Sequence, residues 1–102
     1  MDLRELTAQV ELVSQRYAER FGIVRSSDWH VLKLQEEVGE LAQAHLRRQG
    51  QARTDGMDRS ELDARFAAEI ADVLCHTLLI AGHHSIDVQE AIERKWLTHG
   101  PQ

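Results

Sequence analysis

Wound as a helix, the segment from Ile70 to Ala81 is apolar almost all the way round. Ile70, Ala71, Val73, Leu74, Cys75, Leu78, Leu79, Ile80 and Ala81 leave little polar face. A helix on the outside of a small monomer keeps one face polar, so this one calls for cover on both sides. One side is expected to pack on its own chain and the other on a second copy. Glu69, Asp72 and His76 stand at or within the run, and an apolar helix does not carry such groups without partners.

The rest of the chain also has helical periodicity. Leu3, Leu6, Val10, Val13 and Tyr17 recur at spacings of three and four, which predicts a helix from Leu3 to about Arg20, closed by Phe21-Gly22. In "RSSD", Ser27 or Asp28 can cap a second helix carrying Val31, Leu34, Val38, Leu41 and Leu46. Arg47, Arg48 and Gly50 mark its end. The polar stretch from Gly50 to Ser60 contains Asp55-Gly56 and predicts a loop. A third helix is expected from Glu61 to about His83, with Ser60 as its cap and Asp63 in a position resembling a capping box. The fourth is expected from Asp87 or Val88 to about Thr98, stopped by Gly100-Pro101. Two-residue alternation is nowhere sustained. The expected fold is all-α, a four-helix arrangement in one domain over residues 1–102, completed by homo-oligomeric packing.

At 102 residues the chain has room for one modest core, so association is in keeping with its size. The formal charge of −5 argues against a nucleic acid polymer as partner, since such binding relies on clustered Lys and Arg. An acidic protein can still meet phosphates through metal ions. Cys75 stands alone, which rules out an internal disulfide and makes a reducing cytoplasm the expected location. "MDLRELTAQVEL" shows no signal peptide, and the run from Ile70 to Gly82 is too short and too interrupted to span a membrane.

"KLQEEVGELAQA" (Lys33 to Ala44) carries Glu36, Glu37 and Glu40 beside its own apolar stripe. Like charges at such spacings repel on a helix by a few tenths of a kcal/mol. On a helical wheel Glu37 and Glu40 border the stripe of Leu34, Val38 and Leu41, while Glu36 lies further toward solvent. Glu69 and Asp72 are likewise one turn apart and share a face with Phe66, Val73 and Ile80. If those faces pack, four carboxylates converge. They cannot all stay ionised in a partly buried site without cations. Mg²⁺, or Mn²⁺, takes oxygen ligands and relieves the repulsion. A lone EExxE is usually a solvated face, but a second acidic pair inside an apolar helix is less easily dismissed.

"KLQEEVGELAQAHLR", followed after a polar loop by "EIADVLCHTLLIAGHHSIDVQEAIERKW", resembles the all-α nucleoside triphosphate pyrophosphohydrolases of the MazG-like superfamily. Their signature is EExxE, a variable gap and then ExxD. The similarity covers roughly Asp28 to Trp96. It implies hydrolysis of a (d)NTP to the monophosphate and pyrophosphate, usually with Mg²⁺, often to cleanse the nucleotide pool of surplus or non-standard members. It also implies Glu37, Glu40, Glu69 and Asp72 as metal ligands, with Glu36 in an outer or water-orienting position. Either Glu36 or Glu37 would accept the water's proton. The family forms dimers or dimers of dimers, in keeping with the all-round apolar third helix. After Trp96, "LTHGPQ" lacks the Asn- or Arg-rich extension of some relatives.

The remaining polar and aromatic residues each have two readings. Lys33 would meet a phosphate or pair with Glu37. Arg94 and Lys95 lie where the family often places phosphate-contacting groups, or they simply complement a helix C-terminus. Trp29 and Trp96 stack on a base or fill a core or interface. His76 extends the metal site or pairs with Asp72 or an acid of another subunit, and His83 and His45 are read in the same way. Cys75 is expected to be a buried small side chain and not a nucleophile. The alternative function is a non-catalytic helical homo-oligomer that binds metal or nucleotide and regulates a partner. A di-iron bundle expects Glu-x-x-His pairs, which neither acidic motif supplies.

Overall fold

The computed structural model describes residues 1–98, and among these there are helices and turns but no strand. The first helix, α1, spans Leu3–Phe21. Asp2 caps it by accepting the Glu5 N–H at 2.9 Å, and Gly22 ends it in the left-handed region at φ 65°. That conformation suits glycine, which has no Cβ to clash.

The second helix, α2, spans Ser27–Arg48, and its cap comes before either expected one. Ser26 accepts the Trp29 N–H at 3.1 Å, and Ser27 is already helical, its hydroxyl 3.0 Å from His83 Nε2. Three neighbouring residues have capping side chains here, and only the geometry separates them. The third helix, α3, spans Arg59–His83 and is capped by Asp58, which accepts the Glu61 N–H at 2.9 Å. Ser60, the expected cap, lies inside its first turn.

The fourth helix has the expected extent but changes character part-way. An α-helical piece, α4, covers Val88–Ile92 and gives way to a π-helical segment over Glu93–Leu97. The Thr98 N–H and Oγ1–H both donate to the Glu93 carbonyl, at 2.9 and 2.8 Å, and so close the wider turn. The expected stop at Gly100-Pro101 lies outside the described residues.

Helices α2 and α3 form an antiparallel pair. At the loop end Arg48 Nε donates to Asp63 at 2.8 Å, and at the other end the rings of His30 and His83 lie 4.8 Å apart. Helix α1 packs along α3 in the opposite direction, with Thr7 against Gly82 and an Arg4–Asp87 ion pair of 2.6 Å tying its start to the base of α4. Arg25 reaches back to Glu11 at 2.8 Å and fixes the α1–α2 connection.

The buried apolar side chains among the described residues are few, three alanines and three leucines: Ala18, Ala44, Ala81, Leu62, Leu78 and Leu79. The buried line of α2 steps two turns at a time through His30, Glu37 and Ala44. Val38, expected on that line, is instead 47% exposed. Val31, Ile70 and Leu74 are also about half exposed, so part of the apolar surface of α2 and α3 is uncovered in the single chain. Among the described residues no helix is long and apolar enough to cross a membrane.

Candidate functional site

The two acidic motifs meet across the α2–α3 seam. Oxygens of Glu37, Glu69 and Asp72 lie within 4.8 Å of one another, and a second group joins Glu36, Glu37 and Glu40 within the same limit. Glu37 belongs to both. The spacing on each helix explains this: residues three or four apart share a face, and antiparallel packing lays those faces together. Glu37 and Glu69 are buried, at 8% and 5% exposure.

Their environment is costly for carboxylates. Burial pushes the Glu37 carboxyl up to about 7, the charges of Glu40 and Asp72 add to the effect, and Lys33 opposes it. Burial also raises Glu69, followed by Asp72 and Glu40, while Arg65, 3.6 Å away, pulls it down. Glu37 Oε2 and Glu69 Oε2 are both buried without a hydrogen-bond partner. Unmet buried acceptors typically cost about 1–3 kcal/mol each, more when charged.

These features fit a hard divalent cation. Oxygens bound to one ion at about 2.1–2.5 Å stand no more than about 5 Å apart, which matches the observed grouping. The orphaned buried oxygens are then the groups that lack a ligand. Glu37, Glu69 and Asp72 could hold one such ion and Glu36, Glu37 and Glu40 another; the four expected ligands do not fall in one group, since Glu40 groups with Glu36 and Glu37 on its own helix.

Basic groups frame the cluster on one side. Lys33 Nζ lies 3.3 Å from Glu36 and 3.9 Å from Glu37. Burial works against its charge, but the two carboxylates outweigh burial and hold its pKa above the ordinary lysine value. His76 Nε2 lies 3.9 Å from Glu37 Oε1, so its nearest acid is Glu37 and not the expected Asp72. Position accounts for this: His76 sits across the seam from Glu37, two turns along from the contact between His83 and His30. Burial lowers the pKa of His76, and Lys33 lowers it further.

Beside the cluster lies a cavity of about 550 Å³ between α1 and the α2–α3 pair. Lys33, Glu37, Asp72 and His76 contribute polar walls, while Leu6, Val10, Val13, Tyr17, Trp29 and Leu79 contribute apolar ones. Its α1 wall did not stand out in the sequence. The stripe of Val10, Val13 and Tyr17 reads as core, yet Val13 is 65% exposed and lines open space. Only the docking angle of α1 reveals this. Cys75 also lines the cavity; burial raises its thiol pKa, which weakens it as a nucleophile.

The remaining candidates stand apart. Arg94 donates to Glu90 at 2.9 Å on its own helix. Neither Arg94 nor Lys95 lines the cavity or belongs to the carboxylate groups. Trp96 is exposed, whereas Trp29 is partly buried and lines the cavity. His45 packs near Phe66, with ring centres 6.2 Å apart. Comparison with family models, with curated proteins and with solved structures returns no match for this chain.

Proposed function

We propose that this chain is a metal-dependent nucleotide pyrophosphohydrolase that cleaves a (d)NTP to the (d)NMP and pyrophosphate, serving to cleanse the nucleotide pool. The observation that carries the reading is the grouping of Glu37, Glu69 and Asp72 oxygens, with buried unpartnered atoms, at the edge of a cavity. The resemblance of EExxE and ExxD to the MazG-like superfamily supplies the reaction class.

Mg²⁺, or Mn²⁺ in its place, would neutralise phosphate charge and favour ionisation of the attacking water. The protein's own groups divide the remaining work. Glu37 belongs to both carboxylate groups and is committed to holding the centre together. Glu36 belongs to one and is exposed, so it is the better placed of the two to accept the water's proton. A bond forms between water oxygen and phosphorus, the α–β anhydride bond breaks, and pyrophosphate leaves. Lys33, at the cavity edge, meets the phosphates. Arg94 and Lys95 would serve the same substrate only if brought to it from another copy.

A homodimer, or a dimer of dimers, completes the proposal. The half-exposed Val31, Val38, Ile70 and Leu74 support it. The test is pyrophosphate release from a panel of canonical and modified (d)NTPs with Mg²⁺ or Mn²⁺, alongside Glu40→Gln and Asp72→Asn. The expected result is turnover to monophosphate and pyrophosphate, reduced at least about a hundredfold in both variants. If folded protein binds metal but cleaves no nucleotide, the catalytic reading falls and a regulatory, non-catalytic oligomer replaces it.

A further inference from the structure

The cavity beside the carboxylates changes chemical character along its length. Glu37, Asp72 and Lys33 make one part ionic, with the His76 imidazole beside them; Leu6, Val10, Val13 and Leu79 make the rest apolar, with the Trp29 and Tyr17 rings. A wholly ionic ligand such as pyrophosphate would leave the apolar walls facing water. A wholly apolar ligand would bury carboxylates against hydrocarbon. The chemistry calls for a ligand that is flat and apolar at one end and anionic at the other. The volume of about 550 Å³ lies in the usual range for small-molecule sites, about 300–1,000 Å³.

Two neutral polar side chains interrupt the apolar wall, both on α1: Gln9 and Ser14. Ser14 Oγ is already engaged, accepting from Arg25 Nη1 at 3.0 Å. Gln9 offers a carboxamide, which presents a donor and an acceptor side by side. That pattern matches the edge of a nucleobase, as in bidentate pairing of Gln with adenine.

Building on the pyrophosphohydrolase reading, we propose that this cavity receives the nucleoside half of the substrate, with the base against Trp29 and the apolar α1 wall and with Gln9 reading the base edge. The phosphates then point to the Glu37 and Asp72 end. Base preference is thereby set by α1, a helix that carries none of the metal-binding carboxylates.

Cys75 provides a reporter, because it is the only cysteine in the chain and it lines the cavity. The full-length protein is treated with iodoacetamide at alkaline pH, where the raised Cys75 thiol still ionises enough to react, in the presence of Mn²⁺ and each of the deoxynucleoside monophosphates dAMP, dCMP, dGMP and dTMP. Affinities of the same nucleotides are measured by calorimetry for wild type and Gln9→Leu. Gln9 is exposed, so the substitution leaves the buried core alone. The expected results are that at least one monophosphate slows Cys75 alkylation while ribose 5-phosphate does not, and that Gln9→Leu alters the ratio of affinities among the bases about fivefold, the scale of one hydrogen bond.

Alkylation unaffected by every nucleotide, or an unchanged base ranking in Gln9→Leu, overturns the proposal. The two readings fail separately. Turnover of triphosphates with Cys75 unprotected removes the base-binding cavity and keeps the hydrolase. Protection and altered ranking without any turnover keep the cavity and remove the hydrolase.

Discussion

Glu37 shows the tension between stability and site formation at a single residue. It occupies a buried seam position where an apolar side chain would pack without penalty, and its pKa is pushed up to about 7 by burial, then by Glu40 and Asp72. A carboxyl whose folded pKa lies above its unfolded value of 4.5 contributes its full stability below that unfolded value and loses it as pH rises through about 7. In metal-free buffer, Glu37→Gln should therefore be the more stable protein above pH 7, by up to about 3 kcal/mol at 1.36 kcal/mol per pKa unit. The difference should shrink toward pH 4.5. Urea midpoints of both proteins in EDTA, followed across that range, check the sign. The same substitution should abolish the gain in stability that wild type shows on adding Mn²⁺, because a ligand that binds only the folded form stabilises it.

At the scale of helices, the α2–α3 pair carries most of the architecture. Leu78, 1% exposed, is its best-buried large apolar residue, and Leu78→Ala should cost about 3 kcal/mol, read as a lowered urea midpoint with little change in slope. Helix existence and the grouping of the acids were legible in the sequence, because a spacing of three or four residues fixes which side chains share a face. The helix starts at Ser26 and Asp58 were less legible, since capping chemistry is shared by neighbours such as Ser27, Asp28 and Ser60. The exposure of Val38 was hidden for a different reason. Hydrophobicity marks a residue as fit for burial, and a second copy, on the proposed oligomeric reading, would supply the cover that the single chain lacks. The approach of His76 to Glu37, like the α1 wall of the cavity, depends on how whole helices dock, which no local spacing encodes. The π-helical turn after Ile92 was equally hidden, since its residues continue the helical pattern.

The whole molecule is more open than its length requires. It exposes 7429 Å², whereas a compact monomer of this size exposes about 5,900 Å². Its radius of gyration is 16.1 Å, against about 13 Å for a compact domain. The dimensions, 44 × 42 × 25 Å, describe a slab. On the proposed oligomeric reading, Leu74→Glu places a charge on apolar surface that a second copy would cover. Sedimentation velocity should show wild type as a dimer or larger and Leu74→Glu as a monomer; equal sedimentation would remove Leu74 from the interface. The small set of buried apolar side chains has a further consequence. If much of the burial that holds the fold together occurs between copies, survival of the native state obeys mass action, and each tenfold dilution removes about 1.4 kcal/mol of stability per dimer. Thermal midpoints would then climb with protein concentration, and the cell's supply of this chain would itself determine how much of it is folded.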